Sequence, residues 1–336
     1  MKLHRPPKMI ANADALPKLL YVGGFGRSGS TLIGRVLGEA PSTICVGETR
    51  YLWDRGLRHD VQCGCGQPFR SCPFWSAVGD AAFGGWDHVD TDRLVEADHI
   101  INRLRALPLH WLPWIRPRFA AAINDYASWL TRLYGAIALV SGARTVVETS
   151  KEPNFASLLT RIPGNDVRII HLVRDSRAVA YSWTRQKRMP SPIGDQQFMQ
   201  RFGPGEAATR WLISNVAFHA LAKRSAPYLR ISYEDFVGNT RAVLGEISTF
   251  AVEQLVPPST SLERGRVKLG GHHIFSGNPM RATTGWLEMR VDDAWQTALP
   301  ANQFAEVTAI TWPLLRVYGY ALIPSARCAG SSRSLG

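Results

Sequence analysis

Cysteine is scarce in this chain, with five among 336 residues, too few to staple a domain of this size. That excludes a disulfide scaffold and agrees with a reducing compartment. Long hydrophobic runs are missing as well. The first 20 residues, MKLHRPPKMIANADALPKLL, carry basic groups but no unbroken apolar core of the kind a signal peptide needs. The most apolar later stretch, Gly135 to Val140, is too short to span a bilayer. A soluble, cytoplasmic protein with no membrane anchor is expected. Repeats of solenoid period are absent, and low complexity is confined to the ends. Acidic residues are in deficit, 27 against 39 Lys and Arg, for a net charge of +12. The excess points to anionic partners without separating nucleic acid, membrane, polyanionic sugar and phosphate-bearing cofactor.

What is present is an ordinary globular balance of 45% hydrophobic and 20% charged residues, which excludes disordered, collagenous and coiled-coil chains. The length suits about two domains or one large α/β domain with insertions. Leu19 to Val22 is an apolar run closed by Gly23-Gly24, and reads as a buried strand. Further short strands are predicted at 43–46, 144–147, 167–173 and 228–231, with helices at 30–39, 153–161, 176–188, 206–225, 239–252 and 302–316. Apolar runs separated by helices indicate a parallel sheet covered on both faces. Residues 52–140 read as almost entirely helical, broken by Pro108, Pro113 and Pro117, and fit an insertion or cap. The expectation is one P-loop-like α/β domain over 17–325, with flexible ends at 1–16 and 326–336.

The most informative segment, Gly23-Gly24-Phe25-Gly26-Arg27-Ser28-Gly29-Ser30-Thr31, lies between a predicted strand and a predicted helix. There, successive backbone N–H groups and the helix N-terminus form an anion cradle. The spacing approaches a Walker A loop, but Ser30 stands where the lysine that reaches the β- and γ-phosphates belongs. The nearest cation is Arg27. These residues resemble the first motif of the sulfotransferases that use 3′-phosphoadenosine-5′-phosphosulfate (PAPS), nearest to the tyrosylprotein and carbohydrate branch. The resemblance implies that Arg27, Ser28, Gly29, Ser30 and Thr31 hold the 5′-phosphosulfate, with no catalytic metal.

A second motif follows the strand Ile169 to Val173, where Arg174 and, eight residues on, Ser182 match the family's 3′-phosphate contacts. A guanidinium makes fork-like, charge-assisted bonds to phosphate, and a hydroxyl fills a remaining lone pair. Some relatives carry a further Arg where this chain has Gln186, and Arg185 or Lys187 are the available substitutes. Late in the chain, His272 to Arg281 resembles the loop that closes over the 3′-phosphate and adenine, with Arg281 as its contact. Tyr233-Glu234-Asp235-Phe236 is a further hallmark, read as structural, and Trp211 with Asn215 share a helix face.

Transfer to a hydroxyl needs a base at the attacking oxygen and positive charge near the departing one. Gly47-Glu48-Thr49-Arg50 resembles the segment in which the Glu is the base and the Arg contacts the acceptor, which assigns those roles to Glu48 and Arg50. The rival is a histidine base, with His59, His88, His99 and His110 unranked. Lys151, after the strand 144–147, resembles the lysine that stabilises the departing bridge. His59, Cys63, Cys65 and Cys72 leave three alternatives open: a structural zinc site, a disulfide from Cys72, or free or redox-active thiols. The expected acceptor is a small-molecule, carbohydrate or peptide hydroxyl, less readily an amine, in a pocket built with Trp86, Trp111, Trp114 and Trp129. No nucleic-acid polymer is expected as partner, and nothing specifies an oligomeric state. The readings from other classes are a P-loop kinase or NTPase and a non-catalytic basic module for glycans or membrane surfaces.

Overall fold

A computed structural model describes residues 16–111, 116–193, 196–223 and 226–323. Of the expected flexible ends 1–16 and 326–336, all but Leu16 lie outside the described residues, and Leu16 packs against the core. The core is a five-stranded, all-parallel sheet in the order β2-β3-β1-β4-β7. Its strands are β1 (Lys18–Gly23), β2 (Thr43–Gly47), β3 (Thr145–Lys151), β4 (Val167–Val173) and β7 (Tyr228–Ser232). Alternation along β1 sets the layers: Leu19 and Tyr21 enter one apolar cluster, Leu20 and Val22 the other. The chain leaves β1 toward one edge of the sheet and leaves β4 toward the other. The loops after these two neighbours therefore frame a switch point, where open α/β sheets place their ligands.

One face is covered by α1 (Ser30–Leu37), α9 (Tyr233–Gly238) and α10 (Thr240–Ala251). The other is covered by the insertion, with α2 (Pro73–Phe83), α3 (Thr91–Ile101), α4 (Leu107–Trp111) and α5 (Pro117–Ser141), and by α6 (Pro153–Leu159). In α5, Ile123, Tyr126, Ala127, Leu130, Leu133, Tyr134 and Ile137 are buried at helical spacing, and Gly142 ends the helix in a left-handed turn. Trp86 and Trp129 belong to this packing: Trp86 donates to the Trp75 carbonyl at 2.9 Å, and Trp129 packs edge-on to Trp53. These two do not line the cleft at the C-terminal ends of the sheet strands. Trp114 and the side chain of Trp111 lie outside the described residues.

Three local expectations are corrected. The helix expected over 176–188 is α7 (Ser176–Thr184), after which Arg188–Ile193 (β5) and Gln196–Phe198 (β6) pair as a two-stranded antiparallel sheet. Residues 52–140 are interrupted by the irregular cysteine segment 59–72. After the helices α8 (Pro204–Ala222), α9 and α10 comes an unforeseen antiparallel sheet of β8 (Leu262–Glu263), β9 (Arg266–Leu269) and β10 (Gly285–Glu288). Helices α11 (Trp295–Ala298) and α12 (Ala301–Val317) then pack on α7 and α8. Among the described residues no helix is long and apolar enough to cross a membrane.

Candidate active site

The C-terminal ends of all five sheet strands open into one cleft of about 1320 Å³. After β1, Gly24 and Gly29 adopt φ values of 133° and 97°. A Cβ on Gly24 would lie 2.3 Å from the Leu172 carbonyl oxygen, so only glycine lets the loop lie against β4. Gly29 caps α1 without any side-chain bond, and no acidic residue occupies the first turn, which leaves the helix's leading N–H groups to face an anion. Trp183 on α7 clamps the loop by donating to the Gly26 carbonyl at 3.1 Å.

Arg27 is the feature that orders the site. Its side chain is buried, lies 4.9 Å over the Trp183 ring, and has no hydrogen-bond partner at Nε, Nη1 or Nη2. The Ser28 hydroxyl beside it is also buried and unpartnered. Burial lowers the affinity of Arg27 for its proton, yet a guanidinium stays charged. Buried, unpaired donors of this kind are costly in an isolated protein and become satisfied when an anion binds. The donor set therefore fits a phosphosulfate.

Farther along the cleft, Arg174 follows β4. It stacks 4.4 Å over Tyr233, donates Nη1 to the Arg27 carbonyl at 3.1 Å, and bonds Asp292 through Nη2, while its Nε has no partner. Ser182 and Lys187 meet beside it, with Nζ donating to Oγ at 3.5 Å. Of the candidates Arg185, Gln186 and Lys187, it is Lys187 that lines the cleft. Burial, reinforced by Arg27, Arg185 and Arg174, brings its ammonium down to about 8.

At the opposite end, Glu48 follows β2 and Lys151 ends β3. Their side chains form a direct ion pair, and Ser276 donates to the second Glu48 oxygen at 3.1 Å. Lys151 sits at φ 72°, a left-handed conformation that costs a non-glycine residue energy and turns its side chain into the cleft. Burial lowers its ammonium to about 8, with Glu152 opposing and Arg27 adding to the shift. Behind this pair lies Glu148, fully buried. It accepts from the backbone N–H of Thr49 and of Ser150 and from two hydroxyls, so that one carboxyl fixes both strand ends.

Two site assignments move. Arg50 turns away from the cleft: Nε pairs with buried Asp98 of α3 at 3.2 Å and Nη1 with Glu152 at 3.6 Å, because the insertion supplies the carboxylate that a free guanidinium would otherwise seek. Arg55, missed in the sequence, enters instead, 3.9 Å from Glu48 and donating to Ser276 at 2.8 Å. Arg281 also lies outside the cleft lining. Its Nη1 donates to the carbonyls of Gln62 and Ile274, so it braces a loop from within. Tyr233, read as structural, proves to line the cleft, whereas Trp211 and Asn215 stay in the core, bonding the Arg174 carbonyl and His171.

No histidine lines the cleft among the described residues. His59 pairs with Asp54, and His110 is buried against the Ile101 carbonyl, its pKa lowered by burial to about 4. The cysteines expected to group with His59 group with His273 instead, and Cys63, Cys65 and Cys72 are free thiols. The disulfide alternative for Cys72 is absent from this structure.

A profile of the sulfotransferase family matches residues 19–254, most of the chain. No curated protein matches it. Among solved structures, the sulfotransferase domain of the curacin biosynthetic pathway superposes with a TM-score of 0.52 at 16% identity, over 92% of this chain and 100% of that one. The sulfotransferase domain of a Synechococcus olefin synthase gives 0.47 at 19% identity, over 96% and 100%. A Mycobacterium tuberculosis sulfotransferase gives 0.39 at 14%, over 71% and 68%. The curacin-pathway domain shares the fold, and the family profile spans the glycine loop, both strand-end carboxylates and the Arg174 segment: the chain belongs to the sulfotransferase family.

Proposed function

We propose that the protein transfers the sulfuryl group of PAPS to a hydroxyl of a small-molecule, carbohydrate or peptide acceptor. The observation that carries the reading is the buried, unpartnered donor set of Arg27 and Ser28 at the α1 N-terminus, in one cleft with the Glu48–Lys151 pair. PAPS, when bound, supplies the group transferred and a good leaving group. Arg27, Ser28 and the N–H groups of Gly29, Ser30 and Thr31 hold the phosphosulfate end. Arg174, Ser182 and Lys187 bind the 3′-phosphate and so select against nucleotides that lack one.

Glu48 removes the acceptor hydroxyl proton. Ser276 and Arg55 hold its second oxygen, which orients the first toward the cleft. Lys151 and Arg27 keep positive charge beside the loop, where negative charge builds on the departing oxygen. The absence of histidine from the described cleft lining supports Glu48 over a histidine base.

Calorimetric titration with adenosine 3′,5′-bisphosphate against ATP tests the proposal. Binding of the bisphosphate at least tenfold tighter than ATP is expected. Tighter binding of Mg²⁺-ATP would favour a kinase or NTPase, and binding of neither would favour a basic surface module; each result ends the sulfotransfer reading.

A further inference from the structure

We infer that Cys63, Cys65, Cys72 and His273 form a structural zinc site that staples the cysteine segment to the late loop. The four ligand atoms lie within 4.8 Å of one another. A tetrahedral Zn²⁺ with Zn–S of about 2.3 Å and Zn–N of about 2.0 Å sets S···S edges near ~3.8 Å and S···N edges near ~3.5 Å. Here Cys65 Sγ and Cys72 Sγ are 3.5 Å apart, Cys72 Sγ is 3.2 Å from His273 Nδ1, and Cys63 Sγ is 3.9 Å from the same nitrogen. These three edges lie within about 0.4 Å of the tetrahedral values, and none of the six exceeds 4.8 Å.

Burial raises the Cys63 and Cys72 thiols, and backbone N–H groups oppose that rise. Backbone N–H groups of Cys65 and Gln67 face the first two sulfurs, and those of Phe74 and Trp75, opening α2, face Cys72. The Cys63 N–H donates to the Gln67 carbonyl at 2.8 Å and the Gly66 N–H to the Cys63 carbonyl at 2.9 Å, closing a tight turn that brings Cys63 and Cys65 together. His273 is fixed from outside: its ring stacks 4.7 Å from Phe74, and its carbonyl accepts from Trp75 at 2.7 Å. Neighbouring His272 is committed elsewhere, bonding the Arg281 carbonyl. Three thiolates and a neutral imidazole on Zn²⁺ leave one negative charge. Buried Arg281 answers it, bracketing the cluster through the carbonyls of Gln62 and Ile274, each adjacent to a ligand. Cys₃His with soft sulfur donors selects zinc over hard cations.

The staple joins segments about two hundred residues apart in the chain, three residues before Ser276 and its bond to Glu48. It fixes the loop from outside the cleft, so the inference stands whether or not the chain transfers sulfuryl groups.

Elemental analysis of the full chain, purified without chelator and dialysed, is expected to give one zinc per chain. Cys65→Ser and His273→Ala are each expected to fall below half an equivalent, His59→Ala to keep the metal, and His273→Cys to restore it. Cobalt replacement is expected to give thiolate-to-metal charge-transfer absorption that Cys65→Ser abolishes, which reads ligation separately from folding. Less than half an equivalent in the parent protein after incubation with Zn²⁺, a Cys65–Cys72 disulfide in non-reducing peptide maps, or zinc content indifferent to both ligand substitutions would overturn the assignment.

Discussion

Replacing Glu148 by glutamine probes how two strand ends are held in one geometry. Oε1 of this buried carboxyl accepts from the Ser150 N–H at 2.6 Å, while Oε2 accepts from the Thr49 N–H at 3.2 Å and from the hydroxyls of Thr49 and Tyr134. Two backbone donors thus face two different oxygens, and glutamine has one. Whichever way the amide turns, its NH₂ meets a backbone N–H. The hydroxyls can rotate to accept, but a backbone N–H cannot. Leaving one buried donor against another costs about 1–3 kcal/mol. Protonation does not rescue the site: burial pushes the Glu148 carboxyl up, yet a neutral carboxyl still accepts at both oxygens, as an amide nitrogen never does. With a urea slope near ~3 kcal/mol/M for a chain of this length, the unfolding midpoint is expected to fall by about 0.3–1 M. Because Thr49 adjoins Glu48 and Ser150 adjoins Lys151, kcat is expected to fall with it, while bisphosphate affinity changes little. A midpoint and a kcat both equal to those of the parent would refute the reasoning.

Glu48→Gln keeps the shape and an oxygen for the Ser276 hydroxyl but removes the proposed proton acceptor and the Lys151 ion pair, so kcat is expected to drop by roughly 10²–10⁴ with bisphosphate binding intact. Near-normal turnover would eliminate Glu48 as base. Lys151 and Lys187, both brought down to about 8, are charged below that pH and lose charge above it. Affinity for the bisphosphate is therefore expected to fall as pH rises through about 8, and binding there to take up protons, because a bound anion raises both ammonium pKa values. Titrations at about pH 8 in two buffers of different ionisation enthalpy measure the uptake, and identical apparent enthalpies would contradict it.

The parts of the fold that were legible in the sequence are those fixed locally. The glycine loop needs a strand before it, a helix after it and residues that tolerate positive φ, all written within Leu19 to Leu37. The five sheet strands read as apolar runs because helices or loops cover both faces. The misplaced residues depend on partners far away in the chain. Arg50 looks like an acceptor contact until Asp98, on an inserted helix, takes its guanidinium. His59 is nearest the cysteines in sequence, yet the late loop delivers His273. The sheet of β8, β9 and β10 was hidden because its strands are two to four residues long, too short for period-two patterning to stand out.

The net charge of +12 takes on meaning only when each cation is asked what answers it. Arg35 is buried but donates to the carbonyls of Arg281, Thr283 and Gly270, tying α1 to the late loop. Arg177 is buried but forked on Asp175. Arg281 is buried and braced on two carbonyls. Such groups are held by partners within the fold, Arg281 beside the cysteine cluster included, and present no free donor to the cleft. Among the described residues, the buried arginine nitrogens without a partner are those of Arg27 and the Nε of Arg174, and both side chains line the same cleft. A guanidinium with no partner at Arg27, and a second at Arg174 that is held by Asp292 but keeps a free Nε, favour a ligand with two separate anionic groups over a polyanion spread across the surface. The formal excess alone, equally compatible with nucleic acid or membrane, carries no such information.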